Sequence, residues 1–356
     1  MKANLIVGVD IGASLTKSVY CYAIEGVAKP QVGFKTACSM VRKLTKAKHA
    51  SLLKTVDDNS SLVVFDEGYW LVGNAARGET LKLSATQNKY ETAIAKTLAL
   101  VGQLIAEMRQ QGVDEVHVMV GILLPMDEWG DRFALEERLE GALWEFEFNG
   151  VTVRTSMLKG IHISPEGYGM SQMIETETGG VFIFGHRDVT WLHVDNGSIT
   201  EGRSKTFAGW GMQRLIKEID YTFKDELQAA AILFAAGESL KDKYLLQLCN
   251  EGDLSRLKEA IAEAREQLWL DLCGEFQSTT YRVVKQVICS GGNSYYWQSK
   301  LKALLGQRFD GGAGLRREME ERFPVLRGSP LLFRGADIYR FASTLPGFPV
   351  LDLVEA

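Results

Sequence analysis

The stretch Leu5-Ile6-Val7-Gly8-Val9-Asp10-Ile11-Gly12-Ala13-Ser14-Leu15-Thr16-Lys17 decides how the rest of the chain is read. Its apolar run stops at the carboxylate of Asp10, and Ile11-Gly12-Ala13-Ser14 makes a tight turn. Leu15 to Ile24, rich in Val, Tyr and Thr, continues as a second strand. Strand, glycine turn, strand is a hairpin. It is not a strand-to-helix entry, and neither GxGxxG nor GxxxxGK[ST] occurs there. A phosphate chain needs backbone N–H groups at close approach, which Gly12 permits, with a hydroxyl and a cation, which Ser14 and Lys17 offer. Asp10 at the strand end can hold a hydrated Mg²⁺, directly or through water. An ordinary hairpin turn accounts for the same residues. The octapeptide from Asp10 to Lys17 alone leaves both readings open.

The surrounding chain bounds the answer. Its 356 residues are enough for two domains or one internal duplication. Hydrophobic residues at 46% and charged residues at 24% give a globular profile. Lys and Arg number 40 against 45 Asp and Glu, a net charge of −5, which excludes a bulk cationic nucleic-acid binder. The apolar runs Gly121–Pro125 and Val181–Phe184 are far short of the ~20 residues a membrane span needs. The N-terminal apolar stretch is interrupted by Asp10 and carries no small-residue cleavage site, so no signal peptide is expected. Five cysteines without a CxxC pair suggest neither a disulfide framework nor a zinc site, and a cytoplasmic location is expected.

Along the chain, Gly26 to Val56 holds seven basic residues (Lys29, Lys35, Arg42, Lys43, Lys46, Lys48, Lys54) and no acidic one. With the strand at 61–65 and the apolar piece Tyr69–Gly73 it reads as a small inserted subdomain, about 26–85. Ile94, Leu98, Val101, Ile105 and Met108 recur at spacings of four and three, which predicts a helix over 91–111 stopped by Gly112. A strand is expected at 115–121, a helix at 131–146, short strands at 151–155 and 161–163, and a helix opened by Ser164-Pro165-Glu166-Gly167. Thr178-Gly179-Gly180 marks a boundary, giving domains 1–178 and 179–356. After it the hairpin recurs: strand 181–184, turn Gly185-His186-Arg187-Asp188, strand 189–194, then a strand at 198–202. Two long helices are expected over 225–277, within a helical subdomain of about 212–277. A strand at 286–290 runs into Gly291-Gly292-Asn293. The last 50 residues read as a charged helix, 316–322, followed by a Pro- and Gly-punctuated tail.

Val9 to Lys17 resembles the first phosphate motif of the superfamily that includes actin, sugar kinases and DnaK-type chaperones. Val181–Thr190 stands where its second phosphate hairpin falls, and Val287–Asn293 is similar to its adenosine motif. Tyr69–Ala76, Asn88-Lys89-Tyr90 and Ser164–Gly167 are similar to the bacterial plasmid-segregation branch typified by ParM, as is the closing Arg334–Tyr339. The resemblance implies an α/β fold of two ribonuclease H-like (actin-like) domains flanking a nucleotide cleft. It implies ATP, with GTP as the alternative, and Mg²⁺ organised by Asp10, most simply through water. Gly12, Ala13, Ser14 and Lys17 would hold phosphates, with Gly185, His186 and Arg187 opposite them. Gly291, Gly292 and Asn293 would carry the purine. Glu166 matches the glutamate that orients the attacking water, although an acid at a helix start needs no such role.

The second hairpin departs from the pattern Asp-x-Gly-Gly-x-Thr-x-Asp, because its leading aspartate is Ile183 here. Asp188 could supply the carboxylate from the turn, or hydrolysis is slow. His186 and Arg187 offer phosphate donors, Arg with two parallel hydrogen bonds, but a solvent-facing turn accounts for them too. Gly209 and Gly211, around Trp210, could border the nucleotide or simply enter a helix. The function implied is a filament-forming ATPase in plasmid or DNA segregation, which assembles with itself and meets a DNA-bound adaptor protein, without direct sequence-specific DNA binding. Its alternatives are a small-molecule kinase, for which no catalytic aspartate or sugar insert is apparent, and a slowly hydrolysing ATP-binding scaffold.

Overall fold

A computed structural model describes residues 1–77 and 89–349. Asn88 lies outside the described residues, as do residues 78–85 of the expected insert. The chain divides into two compact units, one formed by Met1–Pro165 with the chain from Ile338 on, the other by Glu166–Asp337. The division falls at Pro165/Glu166 rather than at Thr178-Gly179-Gly180. The sequence punctuation at 178–180 marks instead the start of a strand inside the second unit.

In the first unit the principal sheet contains β1 (Lys2–Ile11), β2 (Leu15–Ile24) and β3 (Gln31–Cys38). A second sheet contains β4 (Val41–Leu44), β5 (Ser60–Phe65) and β6 (Gly68–Gly73), with helix α1 (Lys46–Leu52) between β4 and β5 in sequence. Helix α2 (Lys89–Gln110) follows, then β7 (Glu115–Leu124), α3 (Arg132–Trp144), β8 (Glu145–Phe148), β9 (Val151–Arg154) and β10 (Met157–Pro165). The principal sheet has the order β10-β7-β1-β2-β3, with β1 antiparallel to β2 and parallel to β7. The second sheet has the order β4-β6-β5-β8-β9. Two expectations are corrected here. The insert is not confined to 26–85, because β3 belongs to the principal sheet and β8–β9 complete the second one. The helix expected to 146 ends at Trp144, where alternation at Glu145-Phe146-Glu147-Phe148 buries both phenylalanines and makes a strand. The α2 stripe behaves as its period requires: Ile94, Leu98, Val101, Ile105 and Met108 are all buried in the core with Leu5, Val7 and Val9.

The second unit opens on the four-residue helix α4 (Tyr168–Ser171), preceded by strand rather than helix at Ser164-Pro165. Its sheet comprises β11 (Thr178–Phe184), β12 (Val189–Asp195), β13 (Ser198–Ile199), β14 (Lys205–Phe207), β15 (Gln286–Ser290) and β16 (Phe309–Asp310), in the order β13-β12-β11-β15-β16 with β14 also on β12. The helices are α5 (Met212–Glu218), α6 (Glu226–Ala236), α7 (Asp242–Leu245), α8 (Leu254–Phe276), α9 (Gly292–Tyr296), α10 (Gln298–Leu305) and α11 (Ala313–Arg322). The expected pair of long helices is one long helix, α8, and a broken one. Gly237 at φ 68° and Leu240 at φ 51° turn the chain out of α-helical geometry after α6. Phe182 packs on Trp191 at 4.6 Å and on Phe276 at 4.4 Å, which fastens α8 to the sheet. Gly180 is required where the Trp191 ring crosses β11, since a Cβ there would overlap it.

The tail is also more regular than its Pro and Gly content suggests. Helix α12 (Leu331–Ala342) follows the punctuation at Gly328-Ser329-Pro330, and its buried face contains Leu332, Ala336, Tyr339 and Phe341. Among the described residues no helix is long and apolar enough to cross a membrane.

Candidate functional site

The first hairpin closes where β1 and β2 pair Asp10 with Lys17, and the two side chains form an ion pair. Asp10 is 6% exposed. Its Oδ2 faces the Lys17 ammonium, while its buried Oδ1 has no hydrogen-bond partner among the described residues. Leaving such an oxygen dry and unpaired is costly, so the geometry suits a cation or its water at that oxygen. No group of three or more His, Cys, Asp or Glu able to hold a metal occurs among the described residues. One carboxylate and no protein cage fit Mg²⁺, which keeps waters and shares its coordination with substrate phosphates.

Gly12 is needed for close approach, because a Cβ there would lie 2.6 Å from the Leu15 carbonyl oxygen. Its own carbonyl accepts from the buried Ser39 hydroxyl, which also lies 3.1 Å from Thr16 Oγ1. Ser39 thus fixes the turn from the end of β3, a role its sequence context did not signal. Gly12, Ala13, Ser14 and Lys17 are all part-exposed, within or beside that turn.

In the second unit the expected residues from three separate stretches come together. The turn closes by the Gly185 N–H donating to the Asp188 carbonyl at 2.9 Å. Its carbonyls then receive the first N–H groups of α5 and the residue before it: Gly211 donates to Arg187 at 2.8 Å, Met212 to Gly185 at 3.3 Å and Gln213 to His186 at 2.8 Å. The turn therefore satisfies donors that a helix start otherwise leaves open. A Cβ on Gly211 would strike the His186 carbonyl, so this docking demands glycine. The Asn293 side chain donates to the Gly185 carbonyl at 3.1 Å. Gly291, at φ 90°, brings its Cα against Phe184, where a Cβ would lie 2.5 Å from the carbonyl oxygen. Gly209 and Gly211, the 185–188 turn and Gly291–Asn293 form one constellation.

Asp188 is nearly buried, and both its carboxylate oxygens are engaged by protein. Oδ1 accepts from the Gly209 N–H at 2.8 Å and Oδ2 pairs with Arg187 Nε at 2.5 Å. Its geometry is that of a tether holding Arg187 and the 209 loop. Ile183 is buried, with Cγ1 3.0 Å from where a Cβ on Gly167 would stand. Glu166 is part-exposed beside that contact. The following turn is held by Asp337, whose carboxylate accepts from Gly167 N at 2.7 Å and Met170 N at 3.1 Å. In the sequence Asp337 is marked only by its place in the closing Arg334–Tyr339. Its carboxylate, arriving from α12, sets the backbone immediately after Glu166.

A cavity of about 410 Å³ opens beside the Gly291–Asn293 turn, lined by Tyr295, Arg316, Arg317, Glu320, Pro330 and Phe333 among others. The Gly291 N–H donates to the Phe333 carbonyl at 3.1 Å, which ties the cavity to the turn. The Arg316 guanidinium lies 3.9 Å from the Phe333 ring centroid, and burial pushes its pKa below the usual arginine value. Nothing in the spacing of Tyr295, Arg316 and Phe333 announced this wall, because helix packing alone brings them together.

Comparisons with known proteins bear on the fold. Residues 8–169 match the family model described as the N-terminal domain of actin-like proteins. No curated protein sequence matches the chain. The fold is similar to that of Ta0583, an archaeal actin homolog, with a TM-score of 0.57 at 14% identity over 95% of this chain and 98% of that one. It is similar to Bacillus thuringiensis ParM with AMPPNP, at 0.55 and 13% over 96% and 99%. It is also similar to AlfA from the B. subtilis plasmid pLS32, in a filament structure, at 0.51 and 16% over 86% and 91%. The fold is thus α/β and actin-like, and residues 8–169 carry the match to the N-terminal domain of actin-like proteins.

Proposed function

We propose that the protein binds and hydrolyses Mg·ATP and uses it to form filaments in the segregation of plasmid or other DNA. The observation that carries this reading is the convergence of the 185–188 turn, Gly209–Gly211 and Gly291–Asn293 in one unit, with the same kind of hairpin at Asp10–Lys17 in the other. Arg187 and Lys17 supply cations for phosphate, Gly12 and Ser14 the close-approach turn, and Asp10 Oδ1 an acceptor for metal-bound water. Tyr295, Phe333 and Arg316 offer stacking faces for a purine. Glu166 orients water, and Asp337 positions it. Assembly with itself is supported by the likeness to AlfA, whose structure is a filament. A DNA-bound adaptor is the partner this reading entails. Calorimetric titration with ATP in Mg²⁺ tests the binding step, and absence of binding at millimolar ATP would refute it.

One observation favours a second reading, an ATP-holding scaffold with slow turnover. Ile183 is apolar and buried where the family pattern carries aspartate, and Asp188 is engaged elsewhere. Phosphate release measured under single-turnover conditions separates the two.

A further inference from the structure

In the first unit α1 and α3 lie on opposite sides of the second sheet, and their exposed surfaces carry opposite charge. Tyr69, Val64 and Glu147 stand directly opposite one another on β6, β5 and β8, so their side chains share one face of that sheet. His49 of α1 packs on this face, its ring 5.1 Å from the Tyr69 ring and its Nε2 3.8 Å from Glu147. Trp70, Val63 and Phe148 share the other face, which packs into the core that holds α2 and the buried Leu135, Leu139 and Leu143 of α3. On the solvent side of α3, Phe133, Glu137, Glu140 and Trp144 recur at spacings of four, three and four, which aligns them in one stripe. All four are exposed, Phe133 to 66% and Trp144 to 48%. Neither Glu137 nor Glu140 has an ion-pair partner among the described residues, whereas Arg138 of the same helix pairs with Asp66. On and just after α1, Lys46, Lys48 and Lys54 are exposed, and their ammonium groups have no carboxylate partner among the described residues. Ala47, Ala50 and Leu53 are exposed among them.

We propose, on the reading above that the protein assembles with itself, that the α3 stripe of one copy binds the α1 surface of a second copy. Large aromatic side chains are the anchors that protein interfaces bury, and Phe133 and Trp144 stand at the two ends of the stripe. Glu137 and Glu140 between them complement Lys46 and Lys48, which selects the partner surface. The second sheet and its core separate α1 from α3, so one chain cannot join its own two surfaces. A contact between two copies therefore uses a different patch on each. It leaves one α1 and one α3 open for further copies, which is the geometry of head-to-tail growth.

The test is sedimentation velocity of the full chain at low salt over a range of concentrations, with Mg·ATP and without nucleotide. The double variants Glu137→Lys/Glu140→Lys and Lys46→Glu/Lys48→Glu should each weaken association about tenfold or more, because like charges then face each other. Trp144→Ala should weaken it about tenfold or more with the charges intact. An equal mixture of the two charge-reversed variants should associate again. In that mixture the reversed stripe meets the reversed α1 surface, and the parental stripe meets the parental one. Recovery on mixing is a result that a folding defect in either variant would not give. Two charge variants that fail alone and fail together would overturn the proposal. Association that ignores all three variants would overturn it too, leaving the stripe to a different, basic partner and the reading of self-assembly intact. A parent chain that stays monomeric in both conditions would overturn both at once.

Discussion

The Asp188 carboxylate accepts the Gly209 N–H at 2.8 Å, tying the second hairpin turn to the loop that starts α5. A carboxylate so committed, with its other oxygen on Arg187, is placed to hold the loop rather than to activate water. Asp188→Asn keeps an acceptor for Gly209, whereas Asp188→Ala leaves that N–H without one, at a cost of about 1–3 kcal/mol. Urea unfolding should therefore rank alanine below asparagine by roughly that amount. Phosphate release in Asp188→Asn should remain near the parent rate; a fall of about 10²-fold or more would return Asp188 to a direct role in hydrolysis.

Asp10→Ala should weaken ATP binding in Mg²⁺ and have little effect in EDTA, because the lost oxygen serves the hydrated cation. The control is Lys17, whose partner disappears in the same variant. Lys17→Met should weaken binding with and without Mg²⁺. Calorimetry in both buffers reads the difference, and equal losses in both for Asp10→Ala would remove it from the metal.

Glu166→Gln should bind ATP as the parent does and hydrolyse it about 10²–10⁴ times more slowly, since a water-orienting carboxylate acts in the transition state. Asp337→Asn, by loosening the Gly167 and Met170 contacts, should reduce turnover less and also lower the melting temperature. Wild-type phosphate release in Glu166→Gln would end its assignment.

Gly211→Ala forces a Cβ into the His186 carbonyl. The turn or the start of α5 must move, and backbone displacement of this kind typically costs about 1–3 kcal/mol. The variant should unfold at lower urea and bind ATP more weakly, because His186 and Arg187 move with the turn. Parent-like stability would mean that the docking of α5 on this turn is not tight.

Both hairpins were legible in the sequence because each ends an apolar strand at a polar turn containing glycine, a signal only a few residues long. The joining of Gly185, Gly211 and Gly291 was anticipated only through a family resemblance; its physical cause, carbonyls of one turn meeting helix N–H groups, has no sequence period. Long-range partners were invisible for the same reason. Ser39 reaches Gly12 across 27 positions, and Asp337 reaches Gly167 across 170. Partners of the basic run from Gly26 to Val56 were equally invisible: Lys35 meets Glu107 on α2, and Lys43 lies over Trp70 at 5.6 Å. Helix α12 was hidden by Gly335 and by the punctuation just before it, while its apolar spacing was the better guide.

In the function proposed above, ATP drives this protein into filaments. Identical subunits joined head to tail without closing into a ring assemble openly, and charged contacts among them weaken at high salt because screening acts within about 8 Å at 0.15 M ionic strength. The direct measurement is right-angle light scattering of the purified protein at low salt, before and after addition of Mg·ATP, with sedimentation of the same samples. Scattering and pelletable protein should both rise on addition of ATP, be reduced by high salt and stay unchanged in Asp10→Ala. Scattering that stays flat with ATP at high protein concentration, in protein shown by calorimetry to have bound it, would rule out ATP-driven filaments.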